Sequence, residues 1–178
     1  MSAHVHTELA EPITRYDHLR GPLNAPVYLV EYGDFECPYC SQAHLILQAI
    51  KDQMGDQVCL AFRHFPLTHL HLHAEHAAEA AEAAAAQGRF WEMHDMLFEN
   101  HDALSDEDLV AYAGELGLDT RRFANDIVSG AHAGRIRLNF ASGAKSDVNG
   151  TPTFFINGMR YDGALDIGSM MEALESQL

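Results

Sequence analysis

The residues whose types and spacing could carry out chemistry most directly are Cys37 and Cys40, in the sequence Cys-Pro-Tyr-Cys. They follow the largely apolar run 26–32, which predicts a strand, and precede a helical pattern that begins at Ser41. This order predicts that Cys37 lies at a helix N-terminus, where free N–H groups and the helix dipole stabilise a thiolate. Cys40, one turn later, is close enough to form a disulfide with it. The pair could exchange disulfides, or it could supply half of a zinc site.

The composition describes an acidic chain of ordinary single-domain size. Its 178 residues include 11 basic and 26 acidic side chains, which give a formal net charge of -15. This charge disfavours nucleic acid and anionic membranes as partners. The sequence has neither a membrane span nor a secretory signal, so it is expected in the cytoplasm. Removal of a signal peptide would instead place it in the periplasm.

The cysteine count favours one working pair over a framework of structural disulfides. Three cysteines are an odd number, and the third, Cys59, lies in the alternating run 58–62. We therefore expect Cys59 to be a small buried core residue.

The hydrophobic pattern predicts a strand, a helix and a strand, then a block of helices, and finally a hairpin and a helix. The hairpin is indicated by Asn157-Gly158 between two short β-rich runs. The predicted strands are 27–32, 57–64, 153–156 and 159–161. The predicted helices are 38–54, 74–87, 90–100, 105–116, 119–128, 131–145 and 166–177.

Four motifs carry a family resemblance: VEYGDFECPYC at 30–40, FRHFPLT at 62–68, the alanine-rich run at 74–98, and GTPTFFING at 150–158. In this order they resemble the DsbA-like branch of the thioredoxin superfamily. The resemblance implies an α/β thioredoxin fold, with a central mixed β-sheet flanked by helices and an inserted all-helical subdomain.

The chain then divides into four parts. They are an N-terminal arm (1–22), a first part of the thioredoxin fold with the cysteine motif (23–68), the helical insertion (69–146), and a second part with the proline loop, hairpin and last helix (147–178).

The resemblance also assigns roles to residues outside the cysteine motif. The family has a cis-proline at the position of Pro152, in a loop that faces the active disulfide. Thr151 and Pro152 are therefore expected to bind substrate, with backbone groups that pair with an extended peptide. Glu31 matches a buried acid beneath the active site and could carry protons to or from Cys40. The alternative for Glu31 is a solvated strand residue.

Within the motif, we expect Cys37 to attack and Cys40 to resolve the mixed disulfide. Pro38 fits the first helical turn, where its missing N–H would have no partner. Tyr39 tunes the couple: relatives with His at this position are strongly oxidising, and Tyr adds no positive charge, so a less oxidising couple is expected. Glu36 is expected to be solvated.

The substrates implied are protein or peptide thiols and disulfides, and no cofactor or metal is expected. A glutathione-linked, glutaredoxin-like reductase is an alternative, since that class also contains Cys-Pro-Tyr-Cys. An alternative of another class is a zinc-binding or metal-sequestering module. Its ligands would be Cys37, Cys40, Cys59 and His64, or the histidines of the cluster 69–76.

Overall fold

A computed structural model describes residues 7–178, which form five strands and seven helices. The strands are β1 (His18–Arg20), β2 (Val27–Gly33), β3 (Val58–His64), β4 (Thr153–Ile156) and β5 (Met159–Tyr161). The helices are α1 (Pro38–Met54), α2 (Ala74–Ala85), α3 (Phe90–Glu99), α4 (Asp106–Glu115), α5 (Thr120–Ser129), α6 (Ala133–Lys145) and α7 (Ile167–Glu175). A 3₁₀ turn, Gly55–Gln57, joins α1 to β3.

The strands form one mixed sheet in the order β1-β3-β2-β4-β5. The central strand β2 is parallel to β3 and antiparallel to β4, and the edge strands β1 and β5 are antiparallel to their neighbours. The predicted mixed sheet, flanking helices and all-helical insertion are therefore confirmed.

Strand β1 was not predicted from the sequence. It is three residues long, too short to show an alternating pattern, and it forms because it pairs with β3 and packs on α3. The indole N–H of Trp91 donates to the carbonyl oxygen of Leu19 at 2.9 Å, and the Arg20 guanidinium lies 4.3 Å from the centre of the Trp91 ring. Both contacts join residues that are far apart in the sequence, so the pattern of neighbouring residues does not predict them.

Beyond residue 6, the predicted N-terminal arm is held against the sheet. Residues 1–6 lie outside the described residues. Glu8 forms an isolated β-bridge with Met159 at the edge of the sheet. The buried guanidinium of Arg63 donates to the Asp17 carboxylate at 2.8 Å, which fixes the arm against β3.

The central strand presents its side chains alternately to two packed layers. Leu29 packs with α1 and α7 on one face, whereas Tyr32 packs with the aromatic ring of Phe65 on the other. Because side chains in a strand alternate, Glu31 lies on the face of Leu29, beneath α1. The register opposes Glu31 to Phe62 on β3 and to Phe154 on β4, so apolar rings surround its side chain.

The helical insertion supports the first turn of α1. The two cysteines of the motif belong to one buried cluster with Phe35, Phe62 and Phe98. The Ser41 hydroxyl donates to the Phe98 carbonyl oxygen at 2.8 Å and so joins α1 to the end of α3. The insertion is therefore part of the core around the motif.

Helix α6 lies so close to the sheet that one position admits only glycine. A Cβ at Gly143 would lie 2.8 Å from the ring of Phe65 and 3.0 Å from that of Tyr32. We expect Gly143→Ala to lower the free energy of unfolding by about 1–3 kcal/mol, since overpacking forces neighbouring rings to shift.

Gly134→Ala, in the same helix, is the matched control, because nothing lies within 4 Å of a Cβ there. We expect it to leave the stability unchanged or to raise it slightly through helix propensity. Urea unfolding of both variants measures the difference, and an equal loss in the two would contradict this packing.

Candidate functional site

Cys37 lies at the N-cap of α1, with an extended backbone (φ −74°, ψ 120°), and Pro38 begins the helix. The first backbone N–H groups of α1, those of Tyr39 and Cys40, lower the pKa of its thiol. On the other side, the carbonyl oxygen of Thr151 lies 3.4 Å from Sγ of Cys37. The sulfur therefore lies between the start of a helix and the proline loop, in a residue that is 4% exposed.

The two cysteines of the motif differ in acidity. A hydrogen bond from the Cys40 side chain, with smaller effects of Thr151 and of the first N–H groups of α1, outweighs burial and lowers the pKa of Cys37 to about 5. Burial, the hydrogen bond with Cys37 and the negative charges of Glu31 and Cys37 raise the pKa of Cys40 well above its usual value. At neutral pH, Cys37 is therefore a thiolate and Cys40 a thiol that donates to it.

Glu31 is a buried acid and not a solvated strand residue. It is 1% exposed, and neither carboxyl oxygen has a hydrogen-bond partner within residues 7–178. Burial, followed by the negative charge of Cys37, raises its pKa to about 8. A Cβ at Gly33 would lie 3.3 Å from Oε1 of Glu31 and 2.6 Å from the Phe62 ring, so glycine keeps this space open. A neutral carboxylic acid therefore lies under the site at neutral pH.

The proline loop borders an open cleft beside the motif. The Thr151–Pro152 peptide bond is cis. Thr151, Pro152 and Tyr39 line the cleft together with Arg160 and Tyr161 of β5, and its volume is about 290 Å³. Tyr39 is 65% exposed, so its ring is available to a molecule in the cleft. The structure thus brings together, on one surface, three residues that the sequence placed at the site.

Asp34 organises the turn before Cys37, and sequence reasoning did not identify it. Its buried carboxylate accepts the backbone N–H of Glu36 at 2.8 Å and that of Leu67 at 2.9 Å. The same carboxylate pairs with Nδ1 of His71 at 2.7 Å. Asp34 therefore holds the turn between β2 and α1 against the loop that follows β3. Its only local signal was an acidic residue in a turn directly after a strand.

His71 and Glu36 extend this network toward Cys37. Burial alone would lower the pKa of His71, but the hydrogen bond and charge of Asp34, with the charges of Cys37 and Glu36, raise it. A protonated His71 in turn favours the Cys37 thiolate. The expectation that Glu36 is solvated was wrong, because its carboxylate accepts the backbone N–H of His73 at 2.7 Å.

The cysteines and histidines that would have to bind zinc do not form one cluster in the structure. Within residues 7–178, two groups of ligating side chains have their atoms within 4.8 Å of one another, and neither includes a cysteine or a histidine of the cluster 69–76. Cys59 is fully buried in β3 and donates to the carbonyl oxygen of Gly21, with Sγ and O 3.6 Å apart. The two groups are His18, His64 and Glu82, and His44, His94 and Asp95.

In sequence comparisons, the chain matches a thioredoxin family model and one segment of several longer proteins. A family model described as Thioredoxin matches residues 14–176. The Na(+)/H(+) antiporter NhaA 3 of Salinispora tropica is 48% identical over 162 residues, which cover 90% of this chain and 24% of that protein. NhaA of Herminiimonas arsenicoxydans is 43% identical over 160 residues, which cover 90% of this chain and 25% of that protein. The chain spans about a quarter of the length of these curated relatives.

The described residues contain no helix that is long and apolar enough to cross a membrane.

Solved structures share the whole architecture. A thioredoxin-like oxidoreductase from Silicibacter pomeroyi superposes with a TM-score of 0.81 at 27% identity and covers 92% of both chains. BdbD from Bacillus subtilis superposes with a TM-score of 0.82 at 21% identity, over 90% of this chain and 92% of its own. The fold is therefore the DsbA-like form of the thioredoxin fold, helical insertion included, and the chain belongs to the thioredoxin family.

Proposed function

We propose that this chain is a thiol–disulfide oxidoreductase that exchanges disulfides with protein or peptide substrates, with Cys37 as the nucleophile and Cys40 as the resolving thiol. The observation that carries the proposal is the opposite shift of two neighbouring thiols. The pKa of Cys37 is lowered to about 5, whereas that of Cys40 is raised. Exchange requires one thiolate to attack and a second thiol to release the intermediate.

The first step forms one sulfur–sulfur bond and breaks another. The Cys37 thiolate attacks a substrate disulfide, a mixed disulfide forms, and one substrate sulfur leaves as a thiolate. Cys40 then loses its proton and attacks Cys37 Sγ, which releases the second substrate sulfur. The substrate gains two electrons, and Cys37 and Cys40 end as a disulfide that an external dithiol must reduce. The reverse sequence oxidises a substrate dithiol.

Glu31 fits the proton transfer that the second step requires. Cys40 must lose a proton inside an apolar cluster, and Glu31, when ionised, raises the pKa of the Cys40 thiol. A carboxyl group whose pKa is about 8 can take up or release a proton near neutral pH. We assign Glu31 as the group that carries protons to and from Cys40.

The cleft beside the motif fits an extended peptide. Thr151 and Pro152 line it next to the sulfur of Cys37, and the carbonyl oxygen of Thr151 already faces that sulfur. A substrate strand along the proline loop would place its disulfide beside Cys37 by strand addition. The exposed ring of Tyr39 contacts substrate on the other side of the cleft and carries no charge to tune the couple.

The direction of exchange follows from the reduction potential of the Cys37–Cys40 couple against that of its compartment. In a reducing cytoplasm a low-potential couple acts as a reductase or isomerase, and in an oxidising periplasm a high-potential couple acts as an oxidase. The lowered pKa of Cys37 favours the reduced form and so raises the potential.

The glutaredoxin-like alternative is less well supported, because five helices lie between β3 and β4 and pack around the motif. The similarity to Na(+)/H(+) antiporters involves only a quarter of those proteins. We propose that the shared segment is a redox module and that sodium–proton exchange belongs to other parts of those relatives.

The acidity of Cys37 gives the most direct prediction. We expect the thiolate absorbance of the reduced protein near 240 nm to titrate with a pKa of about 5. Cys37→Ser should remove this transition. Cys59→Ser should retain it, because burial raises the pKa of the Cys59 thiol. A first thiolate transition close to that of free cysteine would contradict the assignment.

The division of roles predicts two distinct catalytic defects. In the reduction of a disulfide-bonded protein by dithiothreitol, Cys37→Ser should fall to the uncatalysed rate. Cys40→Ser should instead accumulate covalent complexes with substrate, visible on a non-reducing gel, because attack continues without resolution. Full activity of Cys37→Ser, or no trapped complex with Cys40→Ser, would overturn these roles.

The role of Glu31 predicts a change in the pH profile of the second step. Its raised pKa keeps the acid neutral below about pH 8 and ionised above. In rapid-mixing measurements on a preformed mixed disulfide, Glu31→Gln should slow release by about 100-fold at neutral pH. The rise in rate near pH 8 should move to higher pH. Glu107→Gln is the matched control, since Glu107 is an exposed side chain of α4. Equal release rates in wild type and Glu31→Gln would rule out this role.

A further inference from the structure

Away from the cysteine motif, two buried histidines face each other between α1 and α3. His44 is 3% exposed and His94 is 2% exposed, and their ring centres lie 5.7 Å apart. The Nε2 atoms of both rings are buried without a hydrogen-bond partner within residues 7–178. Buried polar atoms are normally paired, so these two imidazoles require an explanation.

His44 in particular is surrounded by carboxylates that do not reach it. Oδ1 of Asp95 lies 4.0 Å from its Nδ1, and Oε1 of Glu99 lies 3.7 Å from its Nε2. Both distances exceed hydrogen-bond length. An ion between Nδ1 of His44 and Oδ1 of Asp95 would bridge the first of these gaps, and a small rearrangement of Glu99 would bring its carboxylate within hydrogen-bond distance of Nε2 of His44.

The spacing of the donor atoms suits a small divalent metal. Nδ1 of His94 lies 2.9 Å from Oδ1 of Asp95, and one ligating atom from each of His44, His94 and Asp95 lies within 4.8 Å of the others. Bonds of about 2.0–2.2 Å to zinc in a tetrahedral site place the ligands roughly 3.3 Å apart. The distances from Oδ1 of Asp95 to Nδ1 of His94 and to Nδ1 of His44, 2.9 Å and 4.0 Å, lie on either side of that value.

Neighbouring side chains can orient the three ligands, and a cavity gives a path by which a metal ion can enter. Nη2 of Arg20 binds the other oxygen of Asp95 at 2.8 Å and leaves Oδ1 toward the histidines. Glu99 faces the remaining nitrogen of His44, the arrangement that orients metal-bound imidazoles. His44 and His94 also line a cavity of about 430 Å³, which leaves room for a water as fourth ligand.

The second histidine group has a simpler explanation. Oε1 of Glu82 lies 2.7 Å from Nε2 of His18 and 2.7 Å from Nε2 of His64. The guanidinium of Arg135 lies 3.3 Å from the same oxygen. Both imidazoles of this group are thus already paired with the shared carboxylate, whereas in the first group only His94 is hydrogen-bonded to Asp95 and His44 is not.

We infer that His44, His94 and Asp95 form a binding site for a divalent transition metal of the zinc type, with water in the fourth position. The donor set of two imidazoles and one carboxylate is one that zinc accepts in proteins. The site joins α3 to α1 one turn after Cys40. It is independent of the proposed exchange reaction, because none of its ligands takes part in that reaction.

The test uses the full chain with Cys37→Ser and Cys40→Ser, since thiolates would bind zinc themselves. After treatment with a chelator, zinc is titrated in competition with a chromophoric chelator. We expect one equivalent to bind and to raise the melting temperature. Adding His44→Gln should weaken binding at least tenfold, and zinc should no longer raise the melting temperature.

A loop variant, His69→Gln with His73→Gln in the same background, is the matched control and should bind as the parent does. Absence of a stoichiometric site, or equal affinity with His44→Gln, would overturn the inference. If His44→Gln does not fold, histidine-ring NMR of the parent decides. Zinc should shift the imidazole signals of His44 and His94, and shifts confined to other imidazoles, His18 and His64 included, would overturn the site.

Discussion

The site depends on one electrostatic constraint. Of its three buried ionisable groups, the thiols of Cys37 and Cys40 and the carboxyl group of Glu31, one carries a negative charge and its charge opposes ionisation of the other two. Cys37, Cys40 and Glu31 lie in or under one apolar cluster, where ionisation of a second group is opposed by the charge of the first. Cys37 carries the charge because the first N–H groups of α1 and the Cys40 thiol point at it. Cys40 and Glu31 remain protonated as a result. The site thus holds one thiolate beside two buried groups that remain protonated.

The geometry that enforces this constraint comes from segments far apart in the chain. Asp34 ties the turn before Cys37 to the loop after β3, and Ser41 ties α1 to the end of α3. The carbonyl oxygen of Thr151 approaches from the proline loop before β4, more than a hundred residues later. The helical insertion therefore packs around the cysteines on one side, and the proline loop borders an open cleft on the other.

The sequence predicted those helices, strands and turns whose formation depends on residues close together in the chain. The strand–turn–helix around Cys37, the Asn157-Gly158 hairpin and all seven helices follow from periodicity, caps and turn residues. Strand β1 and the partners of Asp34 and Glu36 were missed, because each depends on a distant segment and leaves no pattern in its own neighbourhood. The same holds for His44, an isolated histidine on a helix whose surroundings come from α3.

Cys59 has a consequence for how the protein keeps its redox state well defined. Three thiols in one domain can form more than one internal disulfide, and a shuffled one would halt turnover. Full burial in β3, a raised pKa and a hydrogen bond to Gly21 make Cys59 a poor nucleophile. The only thiol that competes for the bond at Cys37 is then Cys40. In the proposed reaction, electrons would then leave and enter through Cys37 and Cys40 alone.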